Sequence, residues 1–84
     1  MESKMNLVGI VLKDESPRTR EPSNTLITYL KSKSIEYFVI VSKEGVIEER
    51  VREKIPNSDL CVTFGGDGTL LYAARIFSQH GVPI

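Results

Sequence analysis

Apolar residues come in short, nearly unbroken runs, separated by polar stretches in which apolar residues recur three or four positions apart. Leu7-Val8-Gly9-Ile10-Val11-Leu12, Tyr37-Phe38-Val39-Ile40-Val41 and Leu60-Cys61-Val62-Thr63-Phe64 lack the alternation of a strand with one wet face. They predict strands covered on both faces, as in a parallel sheet, with the first central or nearly so. After the first run, Lys13 to Glu21 is polar and contains Pro17. Pro22, Ser23 and Asn24 then offer helix-start chemistry ahead of Leu26, Ile27 and Leu30, which predicts a helix from about Pro22 to Lys33. After the second run, Lys43-Glu44-Gly45 breaks the pattern, and Ile47, Val51 and Ile55 predict a one-faced helix supported by a Glu48 to Arg52 pair. Pro56-Asn57-Ser58 reads as a turn. After the third run come glycines and a third helix, with Leu70, Ala73, Ala74 and Phe77 facing the sheet. Gly81 is expected as its left-handed cap, with Pro83 beyond, and Val82 and Ile84 as the opening of a fourth strand.

Strands and helices that alternate in this way predict an α/β fold: three layers around a mostly parallel sheet, with a β-α-β-α-β-α-β start. At 84 residues the chain is at most one small domain, and a chain of this size buries only about 60 to 65 percent of its unfolded surface. Eleven basic and eleven acidic side chains cancel. Their dispersal leaves no electrostatic footprint for nucleic acid or an anionic membrane. Met1-Glu2-Ser3-Lys4-Met5-Asn6 leads into too short an apolar stretch for a signal peptide or a membrane span, so a cytoplasmic protein is expected. Cys61 and His80 are the only residues of their kinds. A disulfide framework, a cysteine zinc site and paired imidazoles are thereby excluded, and no metal site made of protein ligands is expected. Cys61 is expected to be inert core, and His80 to complement a helix end. Arg75 fits a solvated or oligomer-facing role as well as a ligand contact, and the charges from Lys43 to Lys54 read as a solvated face.

Candidate chemistry concentrates in Gly65-Gly66-Asp67-Gly68-Thr69. The pentapeptide lies at the carboxyl end of the third predicted strand and opens the helix behind it, where open α/β sheets place their ligands. Glycines let a ligand approach the backbone and permit the angles that turn successive amides toward one point, a nest suited to phosphate. The helix start adds further amides, and Thr69 one hydroxyl. A carboxylate beside phosphate is repelled by it unless it has a separate role. Asp67 could act as a base, orient a hydroxyl or ligate a metal, or it could simply cap the third helix. Other phosphate loops fit badly. A triphosphate P-loop requires Gly-Lys followed by Ser or Thr, and a dinucleotide fingerprint starting at Gly66 would require glycine where Leu71 stands.

Gly65-Gly66-Asp67-Gly68-Thr69-Leu70-Leu71, continued by Ala73-Ala74-Arg75, resembles the signature loop and following helix of the NAD kinase family. The pentapeptide also resembles the loop of diacylglycerol and sphingosine kinases, and a close variant occurs in 6-phosphofructokinases. The flanks favour NAD kinase, because lipid kinases tend to carry an acidic residue shortly after the loop and none occurs between Asp67 and Ile84. The resemblance implies phosphorylation of the adenosine 2′-hydroxyl of NAD by ATP or polyphosphate, with Mg2+ or another divalent cation. It implies that Asp67 is the proton acceptor and Gly68 a backbone contact, within a ligand set of Gly65, Gly66, Asp67, Gly68, Thr69 and Tyr72. At Tyr72 many relatives have a basic residue. The family's Asn-Glu or Asn-Asp signature and its β-rich carboxyl-terminal domain are absent from this chain, so residues 1–84 are expected to be a partial amino-terminal domain that is inactive alone. The complete protein is expected to be a homo-oligomer, a dimer or tetramer. The alternatives are a lipid or sphingoid kinase catalytic domain and a phosphate-binding module without catalysis.

Overall fold

The computed structural model describes residues 5–84, so the reading of Met1 to Lys4 lies outside the described residues. Strands β1 (Leu7–Leu12), β2 (Glu36–Val41) and β3 (Leu60–Phe64) alternate with helices α1 (Pro17–Ser32), α2 (Glu49–Arg52) and α3 (Asp67–Phe77). Short 3-10 turns occupy Ser42–Glu44, Ile55–Asn57 and Ser78–His80. Both strand pairings are parallel and the order is β2-β1-β3, which puts β1 in the centre as its apolar run predicts.

The strand pleat sends alternate side chains into separate apolar layers. Val8, Ile10 and Leu12 pack with Leu30 of α1, flanked by Leu26 and Ile27. Val11, Phe38, Ile40 and Cys61 pack on the other face with Ile55, Ala73, Phe77 and Val82. The fold is therefore α/β with helices on both sides of a parallel sheet. Gly9 makes the second layer possible. A Cβ there would lie 2.8 Å from Phe38 Cζ and 2.9 Å from Phe77 Cε2, so its hydrogen leaves room for the two rings to stack at 6.2 Å.

Several element boundaries differ from the sequence expectation. Helix α1 starts at Pro17 rather than Pro22, and Pro22 lies inside it. The Asp14 carboxylate accepts the Ser16 amide at 3.1 Å and its hydroxyl at 2.7 Å, and the Ser16 carbonyl receives the amides of Thr19 and Arg20. This local polar turn lets Pro17 serve as the first helical residue, where its missing N–H costs nothing. Helix α2 is one turn, and Glu48 pairs with Arg50 at 3.2 Å rather than with Arg52. Pro56 disfavours helical geometry at Ile55, so the chain tightens into a 3-10 turn. Ile47, Val51 and Ile55 nevertheless join one apolar layer. In α3 the buried stripe is Thr69, Ala73 and Phe77, and Leu70 is 45% exposed. Thr69 turns inward against Gly65, and this rotates Leu70 out. Gly81 takes the expected left-handed conformation at φ 74°. Beyond it, the Pro83 carbonyl accepts the Cys61 amide at 2.9 Å, so the chain starts along the free edge of β3 without becoming a strand.

Candidate functional site

The glycine loop leaves β3 beside the end of β1, where the Lys13 amide donates to the Phe64 carbonyl at 2.9 Å. Because β2 and β3 lie on opposite sides of β1, this is the point where strand order switches, and such points form the ligand crevice of open α/β sheets. Gly65 adopts φ 153°, and a Cβ there would lie 2.5 Å from Thr69 Oγ1 and 2.8 Å from Lys13 Cβ. Its glycine is a structural requirement. Gly66 and Gly68 are different, since a Cβ at either would meet nothing within 4 Å. Space lies open above their backbone.

Helix α3 takes Gly66 as its N-cap, with Asp67 in its first turn, so Asp67 is not the capping residue. The Gly66 carbonyl receives the amides of Thr69 and Leu70 at 3.1 and 3.2 Å. The amides of Gly66, Asp67 and Gly68 have no backbone acceptor among the described residues. These are the unsatisfied donors of a helix start, exposed where no side chain covers them. The Asp67 carboxylate is exposed and joins no ion pair among the described residues.

Two clefts meet at Gly66. The larger, about 580 Å³, runs from Phe64, Gly65 and Gly66 to Asp14, Arg18 and Thr19 at the start of α1, with Lys13 on its wall. The smaller, about 330 Å³, lies between Gly66, Gly68 and Thr69 on one side and Lys13, Ser42 and Lys43 on the other. The Asp14 carboxyl in the larger cleft is held below its ordinary range by the Ser16 hydroxyl and amide, with Lys13 adding to the effect. Gly65 and Gly66 line the larger cleft, and Gly66, Gly68 and Thr69 the smaller. Tyr72 lines neither; it is half-buried against the layer containing Phe77. Cys61 is buried, and burial pushes its thiol up to about 12, consistent with inert packing. His80 and Cys61 lie away from the loop, with His80 beside a separate groove that includes Glu49 and Glu53.

The sequence pattern missed Lys13, Arg18, Thr19, Ser42 and Lys43. All follow the carboxyl ends of β1 and β2, and the strand order is the signal that would have found them.

No family model and no solved structure matches the chain. Curated proteins do. A NAD kinase of Heliobacterium modesticaldum is 30% identical over 84 residues, which span 95% of this chain and 30% of that protein. NAD kinases of Moorella thermoacetica and Methylococcus capsulatus are 34% and 32% identical, spanning 95% and 100% of the chain. By sequence, the chain matches an amino-terminal portion of the NAD kinase family. It spans only about 30% of the length of these relatives. The NAD kinase likeness runs from β1 through α3, so it embraces the end of β1 as well as the glycine loop.

The described residues contain no group of three or more His, Cys, Asp or Glu side chains able to hold a metal. A divalent cation fits here only as one carried mainly by substrate phosphates, with one nearby carboxylate, a common arrangement for Mg2+. Asp67 is the carboxylate within the glycine loop.

Proposed function

We propose that residues 1–84 form the amino-terminal, phosphate-binding part of a cytoplasmic, homo-oligomeric NAD kinase, which transfers a phosphoryl group from ATP or polyphosphate to the adenosine 2′-hydroxyl of NAD. The observation that carries this reading is the Gly65–Thr69 loop at the strand-order switch, its amides unsatisfied and its glycines open, within a chain similar along its length to NAD kinases. A β-rich carboxyl-terminal domain supplies the remaining walls.

In this reading the amides of Gly66, Asp67 and Gly68 hold phosphate oxygens, and Asp67 orients the ribose hydroxyl. The hydroxyl oxygen bonds to the terminal phosphorus as the bond to the bridging oxygen breaks, releasing ADP or shortened polyphosphate. The hydroxyl proton passes late to the Asp67 carboxylate. Bound Mg2+ would neutralise charge on the transferring phosphate. Tyr72 packs its ring on the core and offers its hydroxyl to NAD.

Asp67→Asn in the complete protein tests the assignment. The amide fills the same space but cannot collect the proton, so turnover of NAD to NADP should fall by about a hundred- to ten-thousand-fold. An exposed side chain without an ion pair makes no demand on folding, so the circular dichroism spectrum should not change. Near-normal turnover would remove Asp67 from the reaction.

A further inference from the structure

The two clefts differ in charge. Asp14 lines the larger one, whereas no carboxylate lines the smaller, which is walled by Lys13, Ser42, Lys43, Gly66, Gly68 and Thr69. Lys13 directly follows β1 and Lys43 lies in the turn after β2. The two loops are tied, because the Ser42 hydroxyl donates to the Lys13 carbonyl at 3.5 Å. Neither lysine joins an ion pair among the described residues, whose pairs are Arg20 with Glu15, Arg50 with Glu48 and Lys54 with Glu36. Two lysines line one small cleft that no carboxylate lines, so their like charges are not offset by an anion there. Facing them are the glycines whose backbone lies open and whose amides want acceptors. An extended polyanion satisfies both walls at once: point charges on one side and directed N–H groups on the other. The chain as a whole carries no formal net charge, so attraction for a polyanion has to be local.

We propose that Lys13 and Lys43 clasp the phosphate chain of the phosphoryl donor against Gly66 and Gly68. The proposal rests on the phosphotransfer reading above and extends it to residues that the glycine motif does not contain. The ligand chemistry is a linear polyphosphate, whether the tail of a nucleoside triphosphate or an inorganic chain. Lys43, which the sequence pattern leaves on a solvated face, becomes a donor-binding residue.

Steady-state kinetics of the complete protein test this with Lys13→Met, Lys43→Met and Lys43→Arg. Loss of one charge-assisted contact should raise the donor KM by about ten-fold while leaving the KM for NAD within about two-fold, and Lys43→Arg should restore most of the loss. Comparing ATP with inorganic polyphosphate as donor identifies which source the cleft serves. Calorimetric titration with inorganic tripolyphosphate supplies a readout that needs no turnover. The parent should bind it in a salt-sensitive way, and the double Lys13→Met, Lys43→Met variant should not. A protein that makes no NADP yet binds tripolyphosphate through these lysines would overturn the NAD kinase reading and keep the clasp. Unchanged donor KM and tripolyphosphate affinity in folded variants, or a parent that does not bind tripolyphosphate, would overturn the clasp.

Discussion

Gly65 and Gly66 are neighbours, yet a methyl group at each meets opposite surroundings. At Gly65 the backbone is at φ 153° and the added carbon would lie 2.5 Å from Thr69 Oγ1. Gly65→Ala should therefore destabilise the fold by about 1 to 3 kcal/mol, the usual cost of a strained backbone position, and lower the urea midpoint. At Gly66 φ is −99° and the space is empty. Gly66→Ala should leave stability within about 0.5 kcal/mol but raise the KM of the phosphoryl donor, because the methyl group intrudes where the donor's phosphate meets the amides. An unchanged donor KM would place the donor's phosphates elsewhere. Asp59 makes a second residue-level point. Its carboxylate accepts the amides of Asn6 and Leu7 at 2.8 and 3.0 Å, and these bonds, in that order, hold its pKa below the ordinary carboxylate value. A depressed folded-state pKa stabilises the fold above the unfolded value of about 4, and the benefit is lost as pH falls through the folded value. Urea midpoints at pH 7 and pH 3 should therefore differ less in Asp59→Asn than in the parent. An equal difference would show that these bonds do not set the acid sensitivity.

At the scale of elements, the sequence announces burial better than it announces boundaries. The apolar runs at Leu7, Tyr37 and Leu60 become β1, β2 and β3, because a strand covered on both faces must be apolar along its length. The spacing of Ile47, Val51 and Ile55 correctly brings them to one layer, yet it cannot show that Pro56 will shorten the helix carrying them. The start of α1 is hidden because an Asp14 turn, not a residue pattern, makes Pro17 a helical first residue. The glycine loop is legible from its composition alone, but its partners at Lys13 and Ser42 to Lys43 belong to other elements and become visible only with the strand order. Helix α3 shows the same division. Its amphipathic pattern places Phe77 and Ala73 correctly, while the inward turn of Thr69 exposes Leu70. Tyr72 sits on the boundary of that helix, its body against the apolar layer. A tyrosine can pack with its ring and bind with its hydroxyl. Tyr72→Phe should therefore keep the urea midpoint while costing about 0.5 to 1.5 kcal/mol in NAD affinity. Equal affinities at low and high salt would make Tyr72 purely structural.

For the whole molecule, the question is how much of a site this chain can hold. Its radius of gyration is 12.3 Å, close to the roughly 12 Å of a compact domain of this length. Helices cover both faces of the sheet, while among the described residues Leu71 and Val46 stand 65% and 81% exposed and the outer edge of β3 carries only the bond to Pro83. None of the described helices is long and apolar enough to cross a membrane. Both clefts at Gly66 are open to solvent, and each is lined by loop glycines and a few cations. Micromolar binding requires about −8 kcal/mol net, after a cost of at least about 4 kcal/mol for lost translational and rotational freedom. Exposed hydrogen bonds contribute only about 0.5 to 1.5 kcal/mol each, and those to charged groups about 1.5 to 3. In the proposed reading NAD meets only the Asp67 carboxylate and the Tyr72 hydroxyl within these residues, contacts of at most about 6 kcal/mol together against a total demand of about 12. Isolated residues 1–84 should thus give a folded circular dichroism spectrum and no saturable heat with NAD at micromolar concentration, whereas the proposed complete NAD kinase should bind it. Micromolar binding by the isolated chain would mean that these elements already form a complete pocket for NAD, and that the proposed site is not partial.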